Sequence, residues 1–116
     1  MTLEIRKANR ADLPALLEFI YEKEPVLDGE IQDRFDEILC QSRHSILLGL
    51  IDGKIAATLC ESVIDGFGKG FPFAVLSGAK IKKEYEKIGL QKAMINKAEY
   101  IAAENGCVSI TDNTVQ

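Results

Sequence analysis

The largest concentration of charged side chains that could bind a ligand lies between residues 80 and 92. This stretch holds five lysines and two glutamates, a local charge of about +3 on a chain whose formal net charge is -4. A basic patch on an acidic protein indicates a local anionic ligand rather than a nucleic acid bound along the whole surface. Gly89 lies inside the stretch, and because glycine has no side chain, an anion can approach its backbone closely.

The elements around this stretch predict where such a ligand would bind. Phe73 to Ile81 is apolar and partly β-branched, which indicates a strand, and Ser77-Gly78 within it predicts a bulge or a close approach. A helix is expected to begin near Glu86 or Ile88 and to end at Asn105-Gly106, since glycine takes the left-handed conformation after a helix at little cost. The apolar face of this helix recurs at three- and four-residue spacing, at Leu90, Met94, Ala98 and Ile101.

A strand that leads into a helix through a polar turn directs the first free N–H groups of the helix towards the carboxyl end of the strand. Together with the positive end of the helix dipole, those groups can bind a phosphate. The same residues also suit a solvated turn before an ordinary amphipathic helix, because one glycine in a first turn is a weak signal. The residues alone leave both interpretations open.

The remaining elements complete an α/β pattern. A half-buried strand is predicted over Thr2 to Ala8, and two helices with apolar faces follow it. Ser45 to Ile51 and Lys54 to Ile64 are β-rich runs on either side of Asp52-Gly53, which is the strongest short hairpin signal. Cys107 to Thr111 is a last short strand. The predicted order is β-α-α-β-β-β-α-β, an antiparallel meander followed by a parallel last strand.

The whole chain, residues 1–116, is expected to form one domain, because its 47% hydrophobic and 28% charged residues are ordinary for a globular protein. No apolar run approaches the roughly 18 residues of a membrane span, and no signal peptide is recognised. The three cysteines are expected to be buried free thiols, which predicts a cytoplasmic protein without a metal site. His44, the only histidine, has no motif partner, so a surface or capping role is predicted.

The segment AKIKKEYEKIGLQKAM, residues 79–94, resembles the signature of the GNAT-type N-acetyltransferases. That signature is a strand, an often aromatic residue such as Tyr85, and then Arg/Gln-x-x-Gly-x-Gly/Ala at the start of a long helix. Gly89 matches the central glycine, whereas Glu86 and Gln91 depart from the first and last positions. The predicted order of elements is also that of the GNAT core, so the resemblance covers essentially the whole chain.

The resemblance implies direct transfer of an acetyl group from acetyl-CoA to a primary amine. It implies that the backbone of the strand at Ala79, Lys80 and Ile81 pairs with pantetheine. Amides of the turn and the helix start would hold the pyrophosphate. The amine must lose a proton before it attacks, and Glu61, on the preceding strand, is the candidate base by position, although it also suits a solvent-facing strand residue. The residues assigned to the pyrophosphate are Lys87, Ile88, Gly89, Leu90, Gln91 and Lys92.

The acceptor is not predicted beyond an amine, which could belong to a peptide, a polyamine, an aminoglycoside or a small metabolite. In the GNAT pattern the loop after the first helix and the second helix border the acceptor. Acidic residues cluster there and could attract an amine, although acidic runs are also common on plain solvated surface. They are Glu22, Glu24, Asp28 and Glu30.

The end of the chain is a departure from the GNAT pattern, because relatives usually continue with a fourth helix and two further strands where residues 112–116 end this sequence. An uncovered strand over residues 107–111 would then invite a second chain, so a homodimer through the last strand is predicted. An alternative stays open, in which the same fold is a catalytically degenerate CoA-binding or protein-interaction module. Glu86, Gln91, the short C-terminus and Ser77, which stands where many relatives carry a glutamate, favour that alternative.

Overall fold

The computed structural model describes residues 1–23, 28–66 and 71–113, in which one five-stranded sheet carries helices on both faces. The elements are β1 (Leu3–Lys7), α1 (Leu13–Tyr21), α2 (Gly29–Cys40), β2 (His44–Ile51), β3 (Lys54–Ile64), β4 (Phe73–Ile81), α3 (Leu90–Glu104) and β5 (Ser109–Asp112). Two short 3-10 turns, Arg10–Asp12 and Lys83–Tyr85, precede α1 and α3. The predicted order of helices and strands is confirmed.

The strand order in the sheet is β1-β2-β3-β4-β5, so every strand pairs with its neighbours in sequence. The first four strands are antiparallel, and β5 pairs in parallel with β4. Asp52 and Gly53, with φ values of 51° and 82°, form the tight turn between β2 and β3. Two successive positive φ values are what a type I′ hairpin turn requires, which explains why Asp-Gly was an informative signal.

Two predicted boundaries are wrong by a few residues. The long helix begins at Leu90 rather than near Glu86 or Ile88, because Gly89 precedes it in the left-handed conformation, with φ 80°. The last strand begins at Ser109 rather than Cys107. The N–H of Cys107 still donates to the carbonyl of Ala102, so that part of the chain closes the helix before it joins the sheet.

Each face of the sheet carries its own apolar core. On one face α3 packs on the sheet, and its buried residues Leu90, Met94, Ala98 and Ile101 are those that the helical spacing predicted. On the other face, α1 and α2 cover the sheet through Leu13, Leu16, Phe19 and Phe35. We call these the α3 face and the α1/α2 face.

Gly49 shows how closely α3 approaches the sheet. A Cβ atom at this position would lie 3.0 Å from the sulfur of Met94 and 3.1 Å from a methyl group of Leu90. Contacts this short would force these two side chains to shift, so glycine allows β2 and the start of α3 to pack closely.

All three cysteines are free, but they are not equally buried. Cys60 and Cys107 are partly buried, whereas Cys40 is exposed at the end of α2. The prediction that all three are buried is therefore wrong for Cys40. Within the described residues, no helix is long and apolar enough to cross a membrane.

Candidate active site

The outer edge of β4 is open over half of its length. β4 pairs with β5 only from Phe73 to Leu76, and within the described part of the chain no strand pairs with the remainder of that edge. On the other side, the register with β3 shifts between Thr58 and Cys60, which oppose Lys80 and Ser77. The extra residue lies in β4, where Gly78 has φ 62°. The bulge predicted at Ser77-Gly78 is confirmed, and it lies where β4 leaves β5.

The backbone groups beyond the bulge point in defined directions. The N–H of Lys82 donates to the carbonyl of Ala56 on β3, at 2.8 Å. Backbone groups alternate in direction along an antiparallel strand. The N–H and carbonyl of Lys80 therefore also face β3, while the N–H and carbonyl groups of Ala79 and Ile81 face the open edge. Two of the three predicted pantetheine residues thus offer backbone groups that no described strand pairs with, and the third holds the strand in the sheet.

A cavity of about 260 Å³ lies beside this open edge. Its walls come from β3, the end of β4 and the first turns of α3. The cavity therefore brings together four of the residues predicted to bind the cofactor: Ala79, Lys80, Ile81 and Gln91. The other lining residues are Ala57, Thr58, Leu59 and Met94.

The helix that begins at Leu90 has an N-terminus without a side-chain cap. Its first intrahelical hydrogen bond runs from the N–H of Ala93 to the carbonyl of Gly89, at 3.1 Å. The N–H groups of Leu90, Gln91 and Lys92 precede that bond, so the helix offers them no carbonyl. A Cβ at Gly89 would meet no atom within 4 Å, so the backbone is open to a ligand.

The lysine cluster does not act as one unit in the structure. Lys82, Lys83, Lys87 and Lys92 are exposed. The Nζ of Lys80 instead donates hydrogen bonds to the carbonyls of Phe19 and Ile20 at the end of α1. The positive charge available to an anion near Gly89 is therefore that of the other four lysines, set against Glu84 and Glu86. Tyr85 is half-buried and packs against the core of the α3 face.

Glu61 is buried on the α3 face, with only 2% of its surface exposed. It lies between Ser45 on β2 and Leu76 on β4, the last β4 residue paired with β5. Neither carboxylate oxygen has a hydrogen-bond partner among the described residues. The interpretation of Glu61 as a solvent-facing strand residue is wrong. Its side chain does not line the 260 Å³ cavity, so the structure leaves its predicted role as a base untested.

Burial has a chemical consequence for Glu61. Desolvation raises the pKa of its carboxyl group to about 7, partly offset by the positive charge of Lys7. The pKa of the Cys107 thiol is also raised, first by burial and then by the negative charge of Glu61. A carboxyl group with a pKa near 7 can accept and release a proton at neutral pH, which is the property that general bases need.

His44 has a partner that the sequence did not reveal. Its Nδ1 lies 2.8 Å from the Oγ of Ser62 on the neighbouring strand. The two residues are opposite each other in the β2–β3 register, 18 positions apart. His44, Ile46 and Leu48 are alternate residues of β2 and point to the same side of the sheet. The pair of His44 and Ser62 therefore lies on the α1/α2 face. The turn at Asp52-Gly53 alone would place His44 opposite Glu61, and the register shift between Gly49 and Leu50 moves it opposite Ser62, so no signal in the sequence indicated this hydrogen bond.

The acidic residues between α1 and α2 have mainly structural contacts. Asp28 caps α2, with its Oδ1 accepting from the N–H of Ile31 at 2.9 Å. Glu30 pairs with Arg34 one turn later, and Glu22 ends α1 in the left-handed conformation, with φ 57°. Glu24 lies outside the described residues. Among the described residues, no group of three or more His, Cys, Asp or Glu side chains is placed to hold a metal ion.

Sequence comparison and structure comparison give different answers. No family model matches the sequence, and no curated protein matches it. Among solved structures, the glucosamine-6-phosphate N-acetyltransferase of Arabidopsis thaliana superposes with a TM-score of 0.86 at 21% identity, over 99% of this chain and 84% of that one. The aminoglycoside 6'-N-acetyltransferase AAC(6')-Ih of Acinetobacter baumannii gives 0.82 at 19% identity, over 98% and 80%.

A third structure is AAC(6')-Iy in complex with the bisubstrate analogue CoA-S-monomethyl-acetylneamine. It gives a TM-score of 0.81 at 18% identity, over 99% of this chain and 81% of that chain. These likenesses extend over almost the whole chain, at sequence identities of 18–21%. The fold of this chain is that of the GNAT-type N-acetyltransferases.

Proposed function

We propose that the protein is an acetyl-CoA-dependent N-acetyltransferase that acts on a primary amine. The observation that carries the proposal is the open edge of β4 after the Gly78 bulge, followed beyond the Lys83–Tyr85 turn by the N-terminus of α3, which no side chain of the described residues caps. An extended chain with an anionic end matches both features, because the edge can pair with amides and the helix start can bind phosphates. Acetyl-CoA has that form, and it supplies a thioester as the acetyl donor.

The residues have distinct roles in this proposal. Ala79 and Ile81 would offer backbone groups to the pantetheine arm, with Lys80 holding the strand between them. The turn and first amides of α3 would hold the pyrophosphate, with Lys87 and Lys92 adding positive charge. The residues in this second group are Lys87, Ile88, Gly89, Leu90, Gln91 and Lys92.

Proton removal is assigned to Glu61. Transfer forms a C–N bond and breaks the C–S bond, so the amine loses a proton and the CoA thiolate leaves. Glu61 lies opposite Leu76, where β4 separates from β5, which is close to where the reacting end of the donor would lie. Because its carboxylate is buried, a relayed water would carry the proton from the amine.

The second candidate function is a module that binds CoA or a protein without turnover. The observation that favours it is that the Glu61 carboxylate does not line the cavity beside the open edge. The departures from the signature have different environments. Glu86 is exposed in the turn, whereas Gln91 lines the cavity, where a long amide would share space with the pantetheine arm.

Isothermal titration with acetyl-CoA and with CoA tests the proposal directly. We expect both to bind with one site per chain, because the backbone contacts and the phosphate site are common to both. An amine screen with acetyl-CoA should then show release of CoA thiol. Binding without release on any amine class would support the second candidate function, and an absence of binding would contradict both.

We also propose that β5 joins two chains into a homodimer. β5 is an edge strand, and in the described part of the chain its outer side has no strand partner. Unpaired strand edges tend to pair with other chains. Light scattering during size exclusion is expected to give twice the monomer mass, and Thr111→Lys, which places like charges on the exposed edge, should shift the mass towards the monomer. A parent protein that is monomeric at high concentration would contradict this.

The three free cysteines support a cytoplasmic location, since thiols stay reduced in that compartment.

A further inference from the structure

The side chain of Lys80 makes a connection between two parts of the candidate site that lie far apart in sequence. Its Nζ donates to the carbonyl oxygens of Phe19 at 2.8 Å and of Ile20 at 2.9 Å. The same Nζ lies 5.3 Å from the centre of the Phe19 ring and 3.8 Å from Oε1 of Glu22. Four contacts from one ammonium group thus converge on the last turn of α1.

The end of α1 needs such a partner. The last carbonyls of a helix have no intrahelical donor, and they form the negative end of the helix dipole. The N–H of Glu22 donates to the carbonyl of Glu18 at 2.8 Å, so one of these carbonyls has a hydrogen-bond donor. The carbonyls of Phe19 and Ile20 accept hydrogen bonds from Lys80. The cap of α1 therefore comes from β4, about 60 residues along the chain.

The position of Lys80 within β4 gives this cap its significance. Its neighbours Ala79 and Ile81 face the open edge, while its own backbone faces β3. Side chains of a strand stand roughly perpendicular to the sheet, so the Lys80 ammonium can hold α1 while the adjacent backbone groups pair with a ligand. Any shift of β4 on ligand binding would be passed to the end of α1 through this side chain.

We propose that Lys80 is a positioning residue that couples donor binding on β4 to the last turn of α1, and thereby to the acceptor. This inference rests on the proposed function, because it takes β4 as the donor strand. Lys80 does not contribute its charge to phosphate binding. It fixes Glu22, which with Glu18 and Lys80 itself lines an open cavity between α1 and the end of β4 where an amine would meet carboxylates. Its loss should weaken acceptor binding far more than donor binding.

Hydrogen exchange tests the structural half of the proposal without any activity. In Lys80→Met the last turn of α1 should fray, so the Glu22 amide should exchange at least about fivefold faster than in the parent protein. Lys80→Arg keeps a donor on the two carbonyls and should stay within about twofold of the parent. Lys54→Met removes the same charge from an exposed position at the start of β3 and should leave α1 unchanged.

The same measurement with CoA added tests the coupling. In the parent protein, CoA should slow exchange at the Glu22 amide, and this response should disappear in Lys80→Met although CoA still binds by titration. In steady-state kinetics with an amine that turns over in the screen, Lys80→Met should raise the KM for that amine about tenfold and leave the KM for acetyl-CoA within about twofold of the parent value. Lys80→Arg should return the KM for the amine to near the parent value.

The outcomes separate the two proposals. An unchanged Glu22 exchange rate in Lys80→Met without ligand would overturn the role of Lys80 whether or not CoA binds. CoA binding with no response at Glu22, or an equal loss of affinity for donor and acceptor, would overturn the coupling while leaving the proposed function intact. A parent protein that binds no CoA would overturn the proposed function and the coupling together, and the exchange rates without ligand would still decide whether Lys80 caps α1.

Discussion

Gly89→Trp should weaken acetyl-CoA binding at least about a hundredfold, which corresponds to about 2.7 kcal/mol of binding free energy. Two effects add. Gly89 has φ 80°, a conformation that costs a residue with a side chain about 1–2 kcal/mol, so the turn before α3 would be strained. The indole would also occupy the open space in front of the first free amides of α3, where the pyrophosphate is expected to bind.

Gly106→Trp is the matched control for this variant. Gly106 follows the other end of α3, has φ 74°, and a Cβ there would also meet no atom within 4 Å. Both variants should lower the melting temperature by similar amounts, because both place a side chain on a left-handed residue at an end of the same helix. Only Gly89→Trp should lose acetyl-CoA in titration calorimetry. Parent-like binding by Gly89→Trp would show that the cofactor does not use the start of α3.

Local sequence signals were sufficient for much of the fold. Asp52-Gly53 predicted the hairpin because the turn itself demands positive φ values, and the bounds of β3 and β4 follow from their flanking turns and apolar runs. The start of α3 was misplaced because residues 86–88 have good helix propensity, while the left-handed Gly89 breaks the helical path just after them.

The candidate site was only partly predictable, because its key contacts are not local. A signal for the burial of Glu61 did exist, since Ala57 and Leu59 alternate with it on one face of β3. The charge of Glu61 suggested an exposed side chain instead. Its burial depends on the packing of α3 over that face, which the local sequence does not report. The Lys80 cap joins positions about 60 residues apart, and the hydrogen bond between His44 and Ser62 depends on the β2–β3 register. No spacing rule within one segment reports either contact.

Glu61 should make the protein less stable as the pH rises from about 4.5 to about 7. The pKa of its carboxyl group is about 7 in the folded protein and 4.5 when unperturbed, because burial disfavours the charged form. The folded state therefore holds the proton more tightly than the unfolded state, so the stability present below pH 4.5 is lost as the pH rises through this window. A shift from 4.5 to about 7 corresponds to about 3 kcal/mol. Asp12, whose pKa is lowered by its hydrogen bond with Arg6, affects stability in the opposite sense and only below this window.

Urea unfolding of the parent protein and of Glu61→Gln between pH 4.5 and 8 measures this effect. The variant should lose the slope, because its side chain does not titrate, and Glu61→Leu should be more stable than the parent at pH 8, because it leaves no unpaired polar atom in the core. Glu99→Gln, an exposed change of the same charge on α3, should keep the slope. A flat parent profile would show that Glu61 gains a partner or solvent in solution.

Ionisation of Glu61, which lowers stability, should raise catalytic activity. A base must be ionised to accept a proton, so kcat/KM should rise with pH through about 7, over the range in which stability falls. Glu61→Gln keeps the shape of the side chain but cannot accept the proton, and it should lower kcat/KM at least about a hundredfold with little change in acetyl-CoA affinity. If Glu61→Gln loses the pH slope in stability but keeps parent kinetics, Glu61 is a buried acid without a catalytic role.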